Sequence, residues 1–302
     1  MYKACAQSLN NLKGQRDRCL YALRTEGLNP SCTLKSMFKN GLGNGSLKSE
    51  ELNEGGICKD QLQIGDMWQD IQGANNWKSL LDPIHLLLKA EILGYGDFAQ
   101  HCYDSFDNTR SSQYYGNCKL SKSSLGRRLE SLKCGRGYQV TEYKYANTGL
   151  SLKSYFREKW RDSGAWMGYI AVCTDPNEIK RLGRRDIFVA WRDEGSGRSR
   201  LSAREIVVAE IKRLLNNFKD EDVSITFTGH SLGAALATIS AYDIKQMLMN
   251  EYYIRSIPVT VFAFPSPRVG NLSFAQHVEE IGVKVLRQVN KKDLVPKVLE
   301  FS

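Results

Sequence analysis

The 302-residue chain is poor in histidine (four) and proline (seven), and no apolar run in it approaches the ~18–20 residues of a membrane-spanning helix. A chain that does not cross a bilayer is expected. None of its eight cysteines forms a C-x-x-C pair, all eight lie within the first 173 residues, and no Cys/His cluster has zinc-ligand spacing. Neither a metal nor another cofactor is therefore expected. Internal repeats are also missing. The N-terminal stretch MYKACAQSLNNLKGQRDRCLYALRTEG lacks an apolar core followed by a small-residue cleavage site, so secretion is not expected and the thiols read as reduced. That stretch is basic, but it carries Asp17 and Glu26 and is not serine-rich. A cytoplasmic location follows, with plastid import as the alternative.

What is present is a positive balance, 42 Lys and Arg against 33 Asp and Glu, spread in pairs and triplets along the chain. Dispersed charge of this kind reads as a solvated basic surface that can favour anionic lipid headgroups. A peripheral membrane contact is compatible with it, and no nucleic-acid partner is expected. Oligomeric state has no signature.

Residues 1–60 read as a weakly structured extension, with a linker-like Gly/Ser/Asn-rich piece at 41–56, and residues 61–302 as one domain. In LLDPIHLLLKAEILGYGDFAQHCYDSF (80–106), Pro83 takes a first-turn position, and Ile84, Leu87, Leu88, Ile92, Tyr95 and Cys102 recur at helical spacing. YQVTEYKY (138–145), GYIAVCT (168–174) and DIFVAW (186–191) read as strands, the last two joined as a hairpin by the polar turn TDPNEIKRLGRR. Ser202-Ala203-Arg204-Glu205 fits a capping box, and Val207, Ile211, Leu214, Leu215 and Phe218 line one face of the helix that follows. Then come strand VSITFT (223–228), a helix over 232–247, strand PVTVFAF (258–264), a helix over 274–281 and strand VKVLRQV (283–289). Strands alternating with helices predict an α/β fold, its mostly parallel sheet covered on both faces.

Between VSITFT and the small-residue helix sits Gly229-His230-Ser231-Leu232-Gly233. A serine flanked by glycines at a tight strand-to-helix turn is held above the sheet edge at a helix N-terminus. Ser231 is the candidate nucleophile. The Leu232 amide then points to where an oxyanion would form, favoured by the helix dipole.

The chain also resembles plant phospholipase A1-type acylhydrolases of the class 3 lipase superfamily. The resemblance covers roughly residues 66–302. It rests on WQDIQGANNWKSLLDPI (68–84), GYGDFAQHCYDSF (94–106), REKWRDSGAWMGYIAVCTD (157–175), LGRRDIFVAW (182–191), GHSLGAALAT (229–238), SPRVGN (266–271) and NKKDLVP (290–296). It implies an α/β-hydrolase fold and hydrolysis of sn-1 acyl esters of glycerolipids or phospholipids. Asp293, four residues beyond VKVLRQV, matches the family's N-x-x-D-x-V-P aspartate that orients the catalytic histidine.

Two departures from the family stand out. Its histidine follows that aspartate, but the nine residues after Asp293 contain none. His85 and His101 fall in the long helix and read as structural, His230 adjoins Ser231 on the elbow, and His277 lies out of order. No catalytic histidine is found. The family's V-A-W-R also continues into Gly-Thr, the second oxyanion donor, and a lid segment. Here Val189-Ala190-Trp191-Arg192 runs into Asp193-Glu194-Gly195 and at once into the Ser202 helix. The expectation is a C-terminally truncated α/β-hydrolase domain of impaired activity. A catalytically dead lipid-binding or interaction module, or another esterase or thioesterase, remains open.

Overall fold

The computed structural model describes residues 21–25, 63–132, 134–146, 165–192, 202–251, 256–290 and 295. Seven strands form one sheet: β1 (Tyr21–Thr25), β2 (Tyr138–Ala146), β3 (Ala165–Cys173), β4 (Arg185–Trp191), β5 (Val223–His230), β6 (Val259–Phe264) and β7 (Val283–Asn290), in the order β1-β7-β6-β5-β4-β3-β2. The five strands from β1 to β4 in that order are parallel, while β3 and β2 are antiparallel additions at the far edge. The expected mostly parallel α/β sheet is what forms. Edge strand β1 comes from the segment read as weakly structured and pairs with β7 from Tyr21↔Leu286 to Thr25↔Asn290. The linker-like piece at 41–56 lies outside the described residues.

Helices cover both faces, which explains why the strands are apolar almost without interruption. Alternation along β4 sends Ile187, Val189 and Trp191 to one face and Phe188 and Ala190 to the other. On the first face lie α5 (Ser202–Asn217), α6 (Leu232–Asn250) and α7 (Leu272–Glu280). The predicted stripe Val207, Ile211, Leu214 and Leu215 is buried there, with Phe218 packed against it. Buried Ala234, Ala237 and Ala241 let α6 lie close on the sheet. The second face carries α1 (Ile64–Ile71), α2 (Leu86–Ser105), α3 (Lys122–Glu130) and α4 (Pro176–Leu182).

Two local expectations need correction. Pro83 does not open the long helix: α2 starts at Leu86, and His85 is its N-cap, with Nδ1 accepting from the Leu87 amide at 3.3 Å. The connection between β3 and β4 is not a bare turn but holds α4, capped by the Asp175 side chain, opened by Pro176 and closed by left-handed Gly183.

Beneath the second face the sheet is polar. Ser224, Thr226 and Thr228 of β5 are fully buried beside Asp186. One Asp186 oxygen accepts from the Tyr95 and Tyr138 hydroxyls at 2.9 and 2.8 Å, the other from Ser224 and Thr226 at 2.8 and 3.1 Å. Arg184 Nε donates to Ser224 Oγ at 2.7 Å, and its Nη2 lies 3.6 Å from Glu91. A buried carboxylate is tolerable only when so fully bonded. Burial holds the Glu91 carboxyl above its usual range, against the opposing pull of Arg184.

Candidate active site

The C-terminal ends of β4, β5 and β6 meet at residues 229–233. Trp191 pairs with Gly229, which pairs with Ala263, and His230 pairs with Phe264. The turn into α6 is so tight that a Cβ on Gly229 would stand 2.4 Å from the Gly233 carbonyl. One on Gly233 would stand 2.6 Å from the Trp191 carbonyl oxygen. Both glycines are therefore required by backbone contacts, not by turn flexibility alone.

Ser231 adopts φ 55°, ψ −128°, a region an L-residue occupies only under constraint. Its amide donates to Phe264 O at 3.1 Å, and its carbonyl accepts from Ala234 at 3.0 Å. Ser231 occupies the N-cap position of α6, yet its side chain makes no capping bond, unlike the serine, asparagine and aspartate caps of α3, α7 and α4. The Leu232 amide is the first of the helix and has no acceptor within it. The Leu232 side chain is exposed.

The histidines fall elsewhere. The His230 carbonyl accepts from the Tyr103 hydroxyl at 2.9 Å, and its ring meets the Tyr103 ring edge to face at 6.2 Å. His101 is buried on α2, with Nδ1 3.8 Å from Asp104. His277 lies 3.2 Å from Gln246 Nε2 and 3.4 Å from Glu280. Gln246 is four helical turns along α6, which puts His277 roughly 20 Å from Ser231. None of the four is a hydrogen-bond partner of the Ser231 hydroxyl among the described residues. Asp293 and the segment after Arg192, with Asp193 and Glu194, lie outside the described residues.

Beside the elbow lies a depression of about 700 Å³ bordered by Tyr103, Asp104, Phe106, Lys119, Arg128 and Arg192. Arg192 is buried, its guanidinium 3.4 Å above the Phe106 ring and 3.2 Å from Trp166 O. Sequence reasoning missed this wall, since no spacing rule joins a helix end, a polar loop and a strand end. Behind it, Lys144 is fully buried, donating to Ala190 O at 2.7 Å and standing 3.7 Å over the Trp191 ring. Burial pushes the Lys144 pKa well below the usual lysine range. Among the described residues no group of three His, Cys, Asp or Glu is placed to hold a metal, and no helix is long and apolar enough to cross a membrane.

The family described as Lipase (class 3) matches residues 137–302, more than half of the chain. "Phospholipase A1-Igamma3, chloroplastic" of Arabidopsis thaliana is 40% identical over 78% of this chain and 54% of its own length. "Galactolipase DONGLE, chloroplastic" from the same organism is 36% identical over 80% of this chain and 59% of its own. "Phospholipase A1-II 4" of Oryza sativa subsp. japonica is 35% identical over 78% and 70%. The chain thus spans little more than half the length of several curated relatives. Among solved structures, the native "Rhizomucor miehei lipase propeptide complex" aligns with 71% of this chain and 64% of that one, at 17% identity and a TM-score of 0.43. The match over residues 137–302 and the shared identity with these relatives have one consequence: the chain belongs to the class 3 lipase family.

Proposed function

We propose that this chain is a serine acylhydrolase that cleaves sn-1 acyl esters of glycerolipids. Ser231 attacks the ester carbonyl as its hydroxyl proton passes to a base, water where no imidazole reaches it. The Leu232 amide, at the positive end of α6, receives the developing oxyanion, the alcohol leaves with that proton, and water then releases the fatty acid from the acyl-serine. Asp293 is the orienting acid. The observation that carries this reading is Ser231 itself: a constrained backbone at a helix start, with a hydroxyl withheld from the capping role. The names of relatives, phospholipase A1 and galactolipase, supply the substrate class. Three cations against one carboxylate in the adjoining depression favour a phosphate-bearing headgroup over a neutral sugar. "Chloroplastic" in several relatives' names favours the plastid alternative over the cytoplasm.

A second reading, a lipid-binding module without turnover, draws on the absence of any described histidine bonded to Ser231. Fluorophosphonate labelling of the 302-residue protein, with Ser231→Ala as control, separates the two. Labelling that vanishes in the variant supports the hydrolase. A folded, unlabelled protein that still binds phospholipid vesicles supports the module.

A further inference from the structure

At the other end of the sheet, where β5, β6 and β7 begin, a second cavity of about 320 Å³ opens between the strands and α1. The length of β5 separates it from Ser231, about 25 Å at strand rise. Its volume is at the lower end of the ~300–1,000 Å³ typical of small-molecule sites. Trp68, Ile257 and Pro258 give it an aromatic and apolar wall.

Its polar side carries two lysines and two carboxylates. Lys245 reaches in from α6 and Lys284 from β7. Lys245 Nζ has a long bond to Ile257 O at 3.4 Å, and Lys284 Nζ donates to Asn76 Oδ1 at 2.7 Å. Each ammonium carries three donors, so both have capacity to spare. Neither has a carboxylate within ion-pair distance among the described residues. Of the two acids at the cavity, Glu221 is already gripped by Arg185 at 2.8 and 2.6 Å, and Asp222 is exposed at the rim. Burial, reinforced by the Lys284 charge, lowers the Lys245 pKa.

Gln72 adds an independent sign. It is 1% exposed and lines the same cavity. Its carbonyl is fixed by Thr260 at 2.8 Å, and its Oε1 receives only a 3.4 Å contact from Thr226. Nε2 has no hydrogen-bond partner among the described residues. A buried amide donor without a partner is costly and calls for one.

We propose that this cavity binds a small molecule through an oxyanion, phosphate or carboxylate, held between Lys245 and Lys284 with Gln72 as the neutral donor. The apolar wall takes the rest of the molecule. The site is separate from Ser231, and its test needs no turnover.

The test is thermal unfolding of the full chain titrated with inorganic phosphate, glycerol 3-phosphate or butyrate, each against sodium chloride at equal ionic strength. The expected result is a saturable rise of about 5 °C with at least one of these anions. Whether inorganic phosphate suffices, the ester is needed or the carboxylate wins identifies the source. The rise should be lost in a Lys245→Gln/Lys284→Gln double variant, read against that variant's own unliganded midpoint. Should the double variant not fold, Lys245→Gln alone should need at least tenfold more anion. A rise matched by chloride, a rise kept at full strength in the variants, or no rise with any anion overturns the proposal.

Discussion

Ser224 and Ser231 stand seven residues apart along one strand and its turn, and they are treated in opposite ways. Ser224 is fully buried, accepts from Arg184 and donates to Asp186, so its one donor and one of its two lone pairs are used. Ser231 sits at positive φ between two glycines that have no room for a Cβ, and its hydroxyl caps nothing. In the first, side-chain bonds stabilise the fold. In the second, the fold constrains the backbone and leaves the side chain available. A hydroxyl can serve structure or chemistry, and the contacts around it decide which.

The largest expected effect is chemical. Ser231→Ala should bring ester hydrolysis down to the buffer-only rate, measured as fatty-acid release from phospholipid vesicles, and with no described histidine bonded to Ser231 the loss should be smaller than the ~10⁴–10⁶-fold of a complete triad. Its unfolding midpoint in urea should not fall, because no capping bond is removed. Unchanged hydrolysis in the variant would place the chemistry elsewhere.

Next comes the polar cluster. Asp186→Ala strips two tyrosine hydroxyls, a serine and a threonine of their acceptor and leaves Arg184 buried without its nearest strand carboxylate. Breaking a buried charge arrangement from one side costs about 3–5 kcal/mol. Urea unfolding should register that loss. A change below about 1 kcal/mol would mean that Glu91 alone suffices for Arg184. A methyl group at Gly229 tests the elbow instead. With its Cβ 2.4 Å from backbone atoms of Gly233, Gly229→Ala should cost about 3 kcal/mol and also reduce labelling of Ser231. Stability lost with labelling intact would uncouple the elbow's packing from the placement of its serine.

These two halves were not equally legible in the sequence. The elbow announces itself because its signals are adjacent: an apolar strand, two glycines at fixed spacing, then small helical residues. The polar cluster is invisible because its members are scattered. Arg184 and Asp186 flank the start of a strand, where charges ordinarily face water, and their partners Glu91, Tyr95 and Tyr138 lie 46 or more residues away. Ser224, Thr226 and Thr228 pass as ordinary strand residues. For α4 the cap, the Pro176 start and the Gly183 stop were all present, but a mostly polar stretch of twelve residues between two strands, TDPNEIKRLGRR, read as a turn. The α2 start was misplaced because a histidine cap is an uncommon signal, whereas Pro83 fits a first turn well. Asp293 rests on motif alone, lying outside the described residues.

Lys144, buried behind the depression, gives a pH signature. Its folded pKa lies well below the usual ~10.4 because burial disfavours the ammonium, the Ala190 carbonyl and Trp191 ring notwithstanding. The unfolded chain therefore binds the proton more readily. Stability from this group is fully present above about pH 10.4 and is lost as pH falls toward the folded pKa, by at most about 1.4 kcal/mol per pH unit. Chemical denaturation across that window should show the slope in the parent protein and a flatter profile in Lys144→Met. Equal slopes would mean that Lys144 stays charged in the fold.

The smallest effect returns to the two serines and has opposite signs. Ser231→Gly removes the hydroxyl and the Cβ that makes φ 55° unfavourable. Relief of about 1–3 kcal/mol, less the ~0.4–1 kcal/mol that glycine adds to unfolded-chain entropy, leaves a net gain of about 1 kcal/mol. Ser231→Ala keeps the Cβ and should gain nothing comparable. Ser224→Ala should lose about 1–3 kcal/mol, since Arg184 Nε and an Asp186 oxygen each forfeit a partner. A glycine variant no more stable than the alanine variant would show that residue 231 rests in its backbone conformation without strain. The constraint would then lie wholly in the glycines on either side of it.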